Sequence, residues 1–181
     1  MTVLGVIADT HIPDRTRQLN PAILPIFRDA NVEAILHAGD ISAPDVLRNL
    51  EQVAPVYAVQ GNRDWLLLKQ LPHNQVLTFE GVSLVLEHGH GLWRNYMVDR
   101  IHYLFFGMQE RRYQNRLLAK YPQAQVIVYG HLHIPCNTWF GDIFLFNPGS
   151  ASVPAKKYTP SLGILKIRAG GEVEGEIIEL S

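Results

Sequence analysis

The chain has 181 residues, of which 47% are hydrophobic and 18% are charged, and its formal net charge is -1 at pH 7. This size and composition predict a single domain, residues 1–181, with a sizeable hydrophobic core. The near-neutral charge argues against a protein that binds nucleic acid by neutralising phosphates, because such domains carry a marked basic excess.

The chain begins with alternating strands and helices. A continuous apolar run at residues 3–8 predicts a central strand that is buried on both faces of a sheet. Asn20 and Pro21 have the residue types of an N-cap and a first helical position. We therefore predict a helix from these residues to about Ala30.

The same alternation continues in the next segment. Residues 34–37 form the second predicted strand. Ser42 and Asp45 resemble a capping box, and they predict the start of a helix over residues 43–53. Residues 55–59 form the third predicted strand. This order predicts parallel strand pairing with helical crossovers.

The pattern changes in the second half of the chain. Residues 76–79 and 83–86 flank a short turn that contains Gly81, which is typical of a hairpin. Apolar residues spaced through residues 96–120 predict one long helix, or two helices broken near Gly107.

The remaining segments predict further strands. Two of them lie at residues 125–129 and 143–146, and residues 162–167 and 173–180 form a closing antiparallel hairpin. Together the elements predict an α/β fold, with a mixed sheet or two stacked sheets and the helices outside.

The sequence also predicts a cytoplasmic protein. The N-terminal apolar stretch ends at Asp9, has no basic flank and is too short for a signal peptide or a membrane span. The single cysteine, Cys136, cannot form an intrachain disulfide, which is compatible with a reducing cytosol. We interpret Cys136 as a small apolar packing residue.

Five short polar segments each follow an apolar run that we interpret as a strand. They are Asp9-Thr10-His11, Gly39-Asp40, Gly61-Asn62-Arg63-Asp64, His88-Gly89-His90 and Gly130-His131-Leu132-His133. Strand ends that bring Asp, Asn and His side chains to one edge of a sheet predict a metal centre. Two of the segments have a ligand-x-ligand spacing, which places both side chains on one side of an extended strand.

Taken singly, each of these residues has a plainer interpretation. An Asp or Asn after a strand is usually a turn or cap residue, and a buried His is usually a hydrogen-bonded core residue. The metal-centre prediction therefore depends on the ordered set of seven donors, which are Asp9, His11, Asp40, Asn62, His88, His131 and His133.

The donor set predicts two metal ions rather than one. Oxygen and nitrogen donors without thiolate suit Mn, Fe, Zn or Co, and seven ligands are too many for one small divalent ion. If the histidines are neutral, only Asp9 and Asp40 offset two divalent charges, which leaves about +2 for a bridging hydroxide and a phosphodiester oxyanion. This balance suits in-line displacement at phosphorus.

The ordered motifs D-x-H, G-D, G-N-x-[DE], His-Gly and G-H-x-H resemble the signature of the calcineurin-like metallophosphoesterase superfamily across most of the chain. The resemblance is closest to its small cap-less bacterial and archaeal phosphodiesterase branch, which shares the fold of the retromer subunit. It implies a four-layer α-β-β-α sandwich with two mixed sheets. It also implies a divalent-metal-dependent phosphoesterase, most simply a phosphodiesterase.

The resemblance implies a ligand set for each ion. One ion would be held by Asp9, His11, Asp40 and His133, and the other by Asp40, Asn62, His88 and His131. Asp40 would then bridge the two ions. The resemblance favours Mn, with Fe, Zn, Ni or Co as alternatives, and it implies that metal-bound hydroxide attacks phosphorus.

Arg63 departs from the family pattern. Many members have a histidine there that assists the leaving group, whereas arginine stays protonated and can only neutralise phosphate charge. We predict Asn62, Arg63 and His90 as catalytic residues, with protonation of the leaving group weak or supplied by water or His90. For Asp64 we predict either that it orients Asn62 or His90, or that it is an exposed loop carboxylate.

The expected substrate is a small phosphodiester or nucleotide-like molecule, with no membrane and no stable nucleic-acid partner. Residues 147–150 predict a tight turn, and His37 is interpreted as a hydrogen-bonded strand residue. A non-catalytic scaffold on the same fold and a phosphomonoesterase remain as alternatives. The apolar residues of 96–113 would also suit a homodimer, although packing against the sheet is the simpler interpretation.

Overall fold

The computed structural model describes residues 1–91, Val98 and residues 109–180. The strands are β1 (Thr2–Ile7), β2 (Ala34–His37), β3 (Val56–Ala58), β4 (Asn74–Phe79), β5 (Val82–Glu87), β6 (Val126–Tyr129), β7 (Cys136–Phe140), β8 (Ile143–Asn147), β9 (Ser161–Ile167) and β10 (Val173–Glu179). The helices of the described residues that we number are α1 (Ile23–Asp29), α2 (Pro44–Leu50) and α3 (Glu110–Lys120).

The strands form two mixed sheets of five strands each. Sheet A has the order β10-β9-β1-β2-β3, and sheet B has the order β4-β5-β6-β8-β7. In sheet A, β1 pairs in parallel with β2, and β2 with β3, through the helical crossovers that the sequence predicts. In sheet B, β5, β6 and β8 run parallel, and β4 and β7 are antiparallel edge strands.

The two sheets pack face to face, and the helices cover their outer faces. Val6 and Leu36 of sheet A lie in one buried cluster with Leu84, Val128 and Phe146 of sheet B. Side chains alternate along a strand, so the neighbouring positions point outward to the helices. Burial of each such side chain stabilises the fold by about 1.5–3 kcal/mol.

The outer layers complete the predicted α-β-β-α sandwich. Phe27 of α1 and Leu50 of α2 pack against Ile35 on the outer face of sheet A. Tyr113 and Leu117 of α3 pack on the outer face of sheet B. The predicted fold class is therefore confirmed.

The starts of two helices differ from the prediction. Asn20 Oδ1 accepts a hydrogen bond from the Ala22 amide at 2.9 Å, but the regular helix begins later, at Ile23. The predicted capping box of α2 is wrong. Ser42 does not cap the helix, because its amide donates to Asp64 and its hydroxyl donates to Asp14.

Strand β7 is not predicted from the sequence. This strand is mostly exposed and has a mixture of polar and aromatic residues, so it lacks the buried apolar pattern of the other strands. It pairs with β8 around the turn at Gly141.

Only the end of the long predicted helix falls within the described residues. Its final part is α3, whereas residues 96–97 and 99–108, with the predicted break near Gly107 and most of the predicted dimer surface, lie outside them. Within the described part of the chain, every helix is too short or too polar to span a membrane.

Candidate metal centre

The five polar segments meet where the carboxyl ends of strands from both sheets converge. Three of the segments follow β1, β2 and β3 of sheet A, and two follow β5 and β6 of sheet B. Two sheets contribute to the centre, whereas the sequence pattern predicts a single sheet edge. His88, which follows β5, bonds through Nδ1 to the carbonyl oxygen of Ala38, which follows β2, at 2.7 Å. This contact ties the two sheets together at the centre.

The backbone at the centre is left-handed at five of the candidate ligands. The φ angles are +53° at Asp9, +50° at His11, +54° at Asp40, +71° at His131 and +56° at His133. Such angles are uncommon for residues other than glycine and store strain of about 1–3 kcal/mol each. The alternation of an extended strand therefore does not explain the ligand-x-ligand spacing. The left-handed turns beyond the strand ends bring each pair together.

Asp9, His11 and His133 form one group of donors. Asp9 Oδ1 lies 3.3 Å from Nε2 of His133 and 3.9 Å from Nε2 of His11. The two Nε2 atoms are themselves 3.1 Å apart. Three donor atoms thus point toward one small volume, which would suit a single cation.

Asn62, His88 and His131 form a second group. Asn62 Oδ1 lies 3.2 Å from Nε2 of His88 and 3.1 Å from Nδ1 of His131. The rings of His88 and His131 are 5.1 Å apart. The side-chain oxygen of Asn62 and the two imidazoles thus face one another across a second small volume.

Asp40 lies between the two groups. Its Oδ2 is 3.8 Å from Nε2 of His11, and its Oδ1 is 3.5 Å from Nε2 of His88. Asp40 Oδ1 also accepts a hydrogen bond from the Arg63 amide at 2.8 Å. One carboxylate therefore faces both groups of histidines, and the structure brings all seven predicted donors together.

The donors fit divalent metal ions. Asp9 is completely buried, and its Oδ1 accepts no hydrogen bond from the described residues. A buried carboxylate oxygen that accepts no hydrogen bond is costly unless a cation occupies the adjoining space. Imidazole nitrogens and carboxylate oxygens are ligands for Mn, Fe, Zn and Co.

Backbone carbonyls fix the orientation of two of the histidines. His88 Nδ1 donates to the Ala38 carbonyl oxygen, and His133 Nδ1 donates to the Val153 carbonyl oxygen. In this tautomer the Nε2 lone pair of each ring points at the centre. Metal-binding histidines are commonly held in this way through the other ring nitrogen.

Burial and neighbouring charges set the protonation of the centre. Burial lowers the pKa of His11 to about 4 and that of His131 well below 6.5, so both rings are neutral at pH 7. Burial would raise the pKa of Asp9, but His133 and other histidines hold it well below its usual value. Burial raises the pKa of Asp40 to about 6. Burial would lower the pKa of His88 and His133, but the carboxylates of Asp40 and Asp9 raise it above its usual value. Metal binding would therefore displace protons from these two rings, because neutral imidazoles and ionised carboxylates are the forms that bind metal.

Asp64 holds together the loops that carry Asp40 and Asn62. It is completely buried, so the prediction of an exposed carboxylate is wrong. Its Oδ2 accepts a hydrogen bond from the Gly61 amide at 2.7 Å, and its Oδ1 accepts bonds from the Ile41 and Ser42 amides at 2.9 and 2.8 Å. Asp64 therefore orders the backbone on either side of the centre.

The loop after β8 supports Asp9. The hydroxyls of Ser150 and Ser152 both donate to the Asp9 carbonyl oxygen, at 2.9 and 3.0 Å. The Gly149 amide donates to Asn147 Oδ1, which confirms the predicted turn. The role of Ser152 is not predicted from the sequence, because a serine that donates a hydrogen bond to a carbonyl distant in the chain leaves no local pattern.

Arg63 and His90 lie at the margin of the centre. The Arg63 guanidinium is partly exposed, with Nη1 3.7 Å from Asp14 Oδ2. The ring of His90 lies 5.3 Å from that of His88. Burial and the nearby His88 lower the pKa of His90 to about 3. His90 is therefore neutral at pH 7 and is a weak proton donor.

Two further buried residues, His37 and Cys136, belong to neither group of donors. His37 is completely buried and bonds to Thr10 Oγ1 and to the Gly39 amide, both at 3.2 Å. The interpretation of His37 as a hydrogen-bonded strand residue is confirmed. Cys136 is buried in the cluster under α3, as expected of a packing residue.

The chain that forms this centre is similar to known proteins over most of its length. The family model described as "Calcineurin-like phosphoesterase superfamily domain" matches residues 1–170. A protein of Methanothermobacter thermautotrophicus named "probable metallophosphoesterase" is 38% identical over 176 residues, which cover 97% of this chain and 91% of that protein.

Two further comparisons agree with this match. The phosphodiesterase YfcE of Escherichia coli K12 is 30% identical over 164 residues, which cover 79% of this chain and 77% of that protein. The crystal structure of a single-mutant form of Vps29 from Entamoeba histolytica has the same fold, with a TM-score of 0.73 at 19% identity. That alignment covers 99% of this chain and 100% of the Vps29 chain.

Proposed function

The chain belongs to the calcineurin-like phosphoesterase superfamily, and we propose that it is a divalent-metal-dependent phosphodiesterase with a dinuclear centre. The observation that carries the proposal is the position of Asp40, whose two oxygens face His11 on one side and His88 on the other. A carboxylate shared between two groups of donors is what a two-metal centre requires.

The two groups of donors suggest which residues hold each ion. We assign one ion to Asp9, His11, Asp40 and His133, and the other to Asp40, Asn62, His88 and His131. The Oδ1 of Asp9, which accepts no hydrogen bond from the described residues, supports the first assignment. Mn is the preferred metal, with Fe, Zn, Ni and Co as alternatives, since all of them accept mixed nitrogen and oxygen ligands.

The bound ions would supply an activated water and offset the charge that develops on the phosphoryl oxygens. Asn62 orients the donors beside it through its contacts with His88 and His131. Arg63 contributes positive charge at the open side of the centre, where its partly exposed guanidinium can approach an anionic substrate. His90 stays neutral and helps to shape the buried side.

Among the described residues at the margin of the centre, neither Arg63 nor His90 is a strong proton donor, which bears on the class of substrate. Arg63 does not release a proton at ordinary pH, and His90 has too low a pKa to be protonated at pH 7. A phosphodiester with a stable leaving group needs little assistance from an acid. Small phosphodiesters, including nucleotide-like ones, are the proposed substrates, and an alkoxide leaving group would take its proton from water while the metal ions offset its charge.

Hydrolysis of bis-p-nitrophenyl phosphate tests this proposal. We expect turnover with Mn²⁺, loss of turnover after chelation, and recovery when Mn²⁺ is added back. We also expect the kcat/KM for this diester to exceed that for p-nitrophenyl phosphate, measured in parallel. A faster monoester reaction would contradict the diesterase assignment and favour a phosphomonoesterase.

The same assay separates an enzyme from a scaffold on this fold. Absence of chelator-sensitive turnover with Mn²⁺, Fe²⁺, Zn²⁺, Ni²⁺ and Co²⁺, in protein that still binds these ions, would contradict the enzymatic proposal. That outcome would favour a metal-binding scaffold.

A further inference from the structure

Helix α3 contacts the turn that carries His88. Nη2 of Arg116 donates a hydrogen bond to the Gly89 carbonyl oxygen at 2.9 Å. Gly89 lies between His88 and His90 and has a φ of +99°, a conformation that glycine adopts readily. A turn with a glycine at this position is poorly restrained by its own backbone. A charged donor on its carbonyl supplies a stronger restraint than a neutral one would.

The same arginine is linked to His131. The Arg116 guanidinium carbon lies 4.9 Å from the centre of the Tyr113 ring, and that ring lies 5.6 Å from the ring of His131. Tyr113 is buried one helical turn before Arg116, so the two side chains share a face of α3. Arg116 therefore contacts the turn beside His88 and packs on the Tyr113 ring, which in turn contacts His131.

The end of the helix strengthens this connection. Lys120 Nζ donates to both carboxylate oxygens of Glu87, at 3.0 and 2.8 Å, and the Tyr121 hydroxyl also bonds to Glu87. Glu87 immediately precedes His88 in the chain and is buried. The helix is thus attached to the chain on both sides of His88.

The other half of the centre has a different support. Ser150 and Ser152 bond to the Asp9 carbonyl oxygen, and the Val153 carbonyl oxygen accepts a bond from His133. These contacts come from the loop after β8 rather than from α3. A change on α3 should therefore disturb one group of donors more than the other.

We propose that Arg116 is a positioning residue for the metal site formed by Asn62, His88 and His131. Its guanidinium holds the Gly89 carbonyl, which adds to the Ala38 bond in positioning His88, and it packs on Tyr113, whose ring supports that of His131. The inference rests on the proposed dinuclear centre. Loss of a residue that orients metal ligands typically weakens metal affinity by about 10–100-fold.

Cobalt titration of the metal-free protein tests the inference, with absorbance and metal analysis as readouts. We expect two binding events in the unmodified chain. Arg116→Met keeps the apolar stem but removes the donors, and it should weaken one event by about 10–100-fold while the other stays within twofold. Arg116→Lys keeps one charged donor and should restore part of the affinity.

Two further variants identify the affected event. His131→Ala should abolish the binding event that Arg116→Met weakens. In the variant that carries both changes, the affinity of the remaining event should equal that measured for His131→Ala alone. Arg111→Met is the matched control, because Arg111 lies on the same helix with its guanidinium 4.7 Å from the Phe140 ring. It should leave both events unchanged.

The titration tests the positioning role of Arg116 separately from the dinuclear centre on which it rests. If the unmodified chain binds fewer than two ions, the dinuclear centre itself is contradicted. If it binds two and Arg116→Met weakens neither event, or both equally, the positioning role is overturned. An equal effect of Arg111→Met would overturn it as well, because the cause would then be a general weakening of α3.

Discussion

Replacement of Asp40 by Asn is expected to abolish metal loading and turnover without unfolding the protein. Asn keeps the size of the side chain and an oxygen that can accept the Arg63 amide, but it removes the charge that faces both His11 and His88. Loss of a residue that only orients a ligand lowers metal affinity by about 10–100-fold. Asp40 is itself a ligand shared by two ions, so we expect its loss to lower metal affinity by more than about 100-fold. Metal analysis and diester hydrolysis measure both effects.

The stability of the same variant distinguishes a missing ligand from a damaged fold. Burial raises the pKa of Asp40 to about 6, so the folded state disfavours the ionised carboxylate that is present at pH 7. A carboxyl group whose pKa is raised in the folded state lowers the free energy of unfolding at pH values above that pKa. The neutral Asn removes this cost. Metal-free Asp40→Asn should therefore unfold at the same temperature as the unmodified protein or a higher one.

The control for this variant is Asp142→Asn, in the exposed turn between β7 and β8. It removes the same charge at the turn before β8, at the opposite end of sheet B from the centre, and should leave metal loading and turnover unchanged. Normal loading of Asp40→Asn with two ions per chain would contradict the bridging role.

Replacement of Asp64 by Ala is expected to damage both stability and metal binding. The change leaves the amides of Gly61, Ile41 and Ser42 buried without their acceptor. Each unsatisfied amide costs about 1–3 kcal/mol, so the free energy of unfolding should fall by about 3 kcal/mol or more. The loops that carry Asp40 and Asn62 should also separate, with a loss of about 10–100-fold in metal affinity.

Urea unfolding of the metal-free protein and metal titration measure the two effects separately. Asp45→Ala is the control, because Asp45 is exposed and forms a surface ion pair with Arg48, which contributes little to stability. A result for Asp64→Ala that matches this control would show that Asp64 does not hold the loops together.

The identities of the donors could be predicted from the sequence because each follows a recognisable strand. A buried parallel strand is a continuous apolar run, and the polar residues at its end are conspicuous. The ordered set then carried a resemblance to a known family, and with it the two-sheet architecture. The structure brings these residues together.

The geometry that orders the donors could not be predicted in the same way. The left-handed backbone at Asp9 and His11 has no signal in residue spacing, and the extended-strand explanation was therefore wrong. Asp64 and Ser152 act on backbone groups of residues distant in the chain, which becomes visible only when the loops are packed. The edge strand β7 was missed for a related reason, since an exposed strand lacks an apolar pattern.

The most direct test of the dinuclear centre is a crystal structure of the Mn²⁺-soaked protein, with anomalous scattering used to locate the ions. We predict two peaks separated by roughly 3.5–4 Å. One should lie among Asp9, His11, Asp40 and His133, and the other among Asp40, Asn62, His88 and His131. A single peak at full Mn²⁺ occupancy, or two peaks that do not share Asp40, would contradict the account.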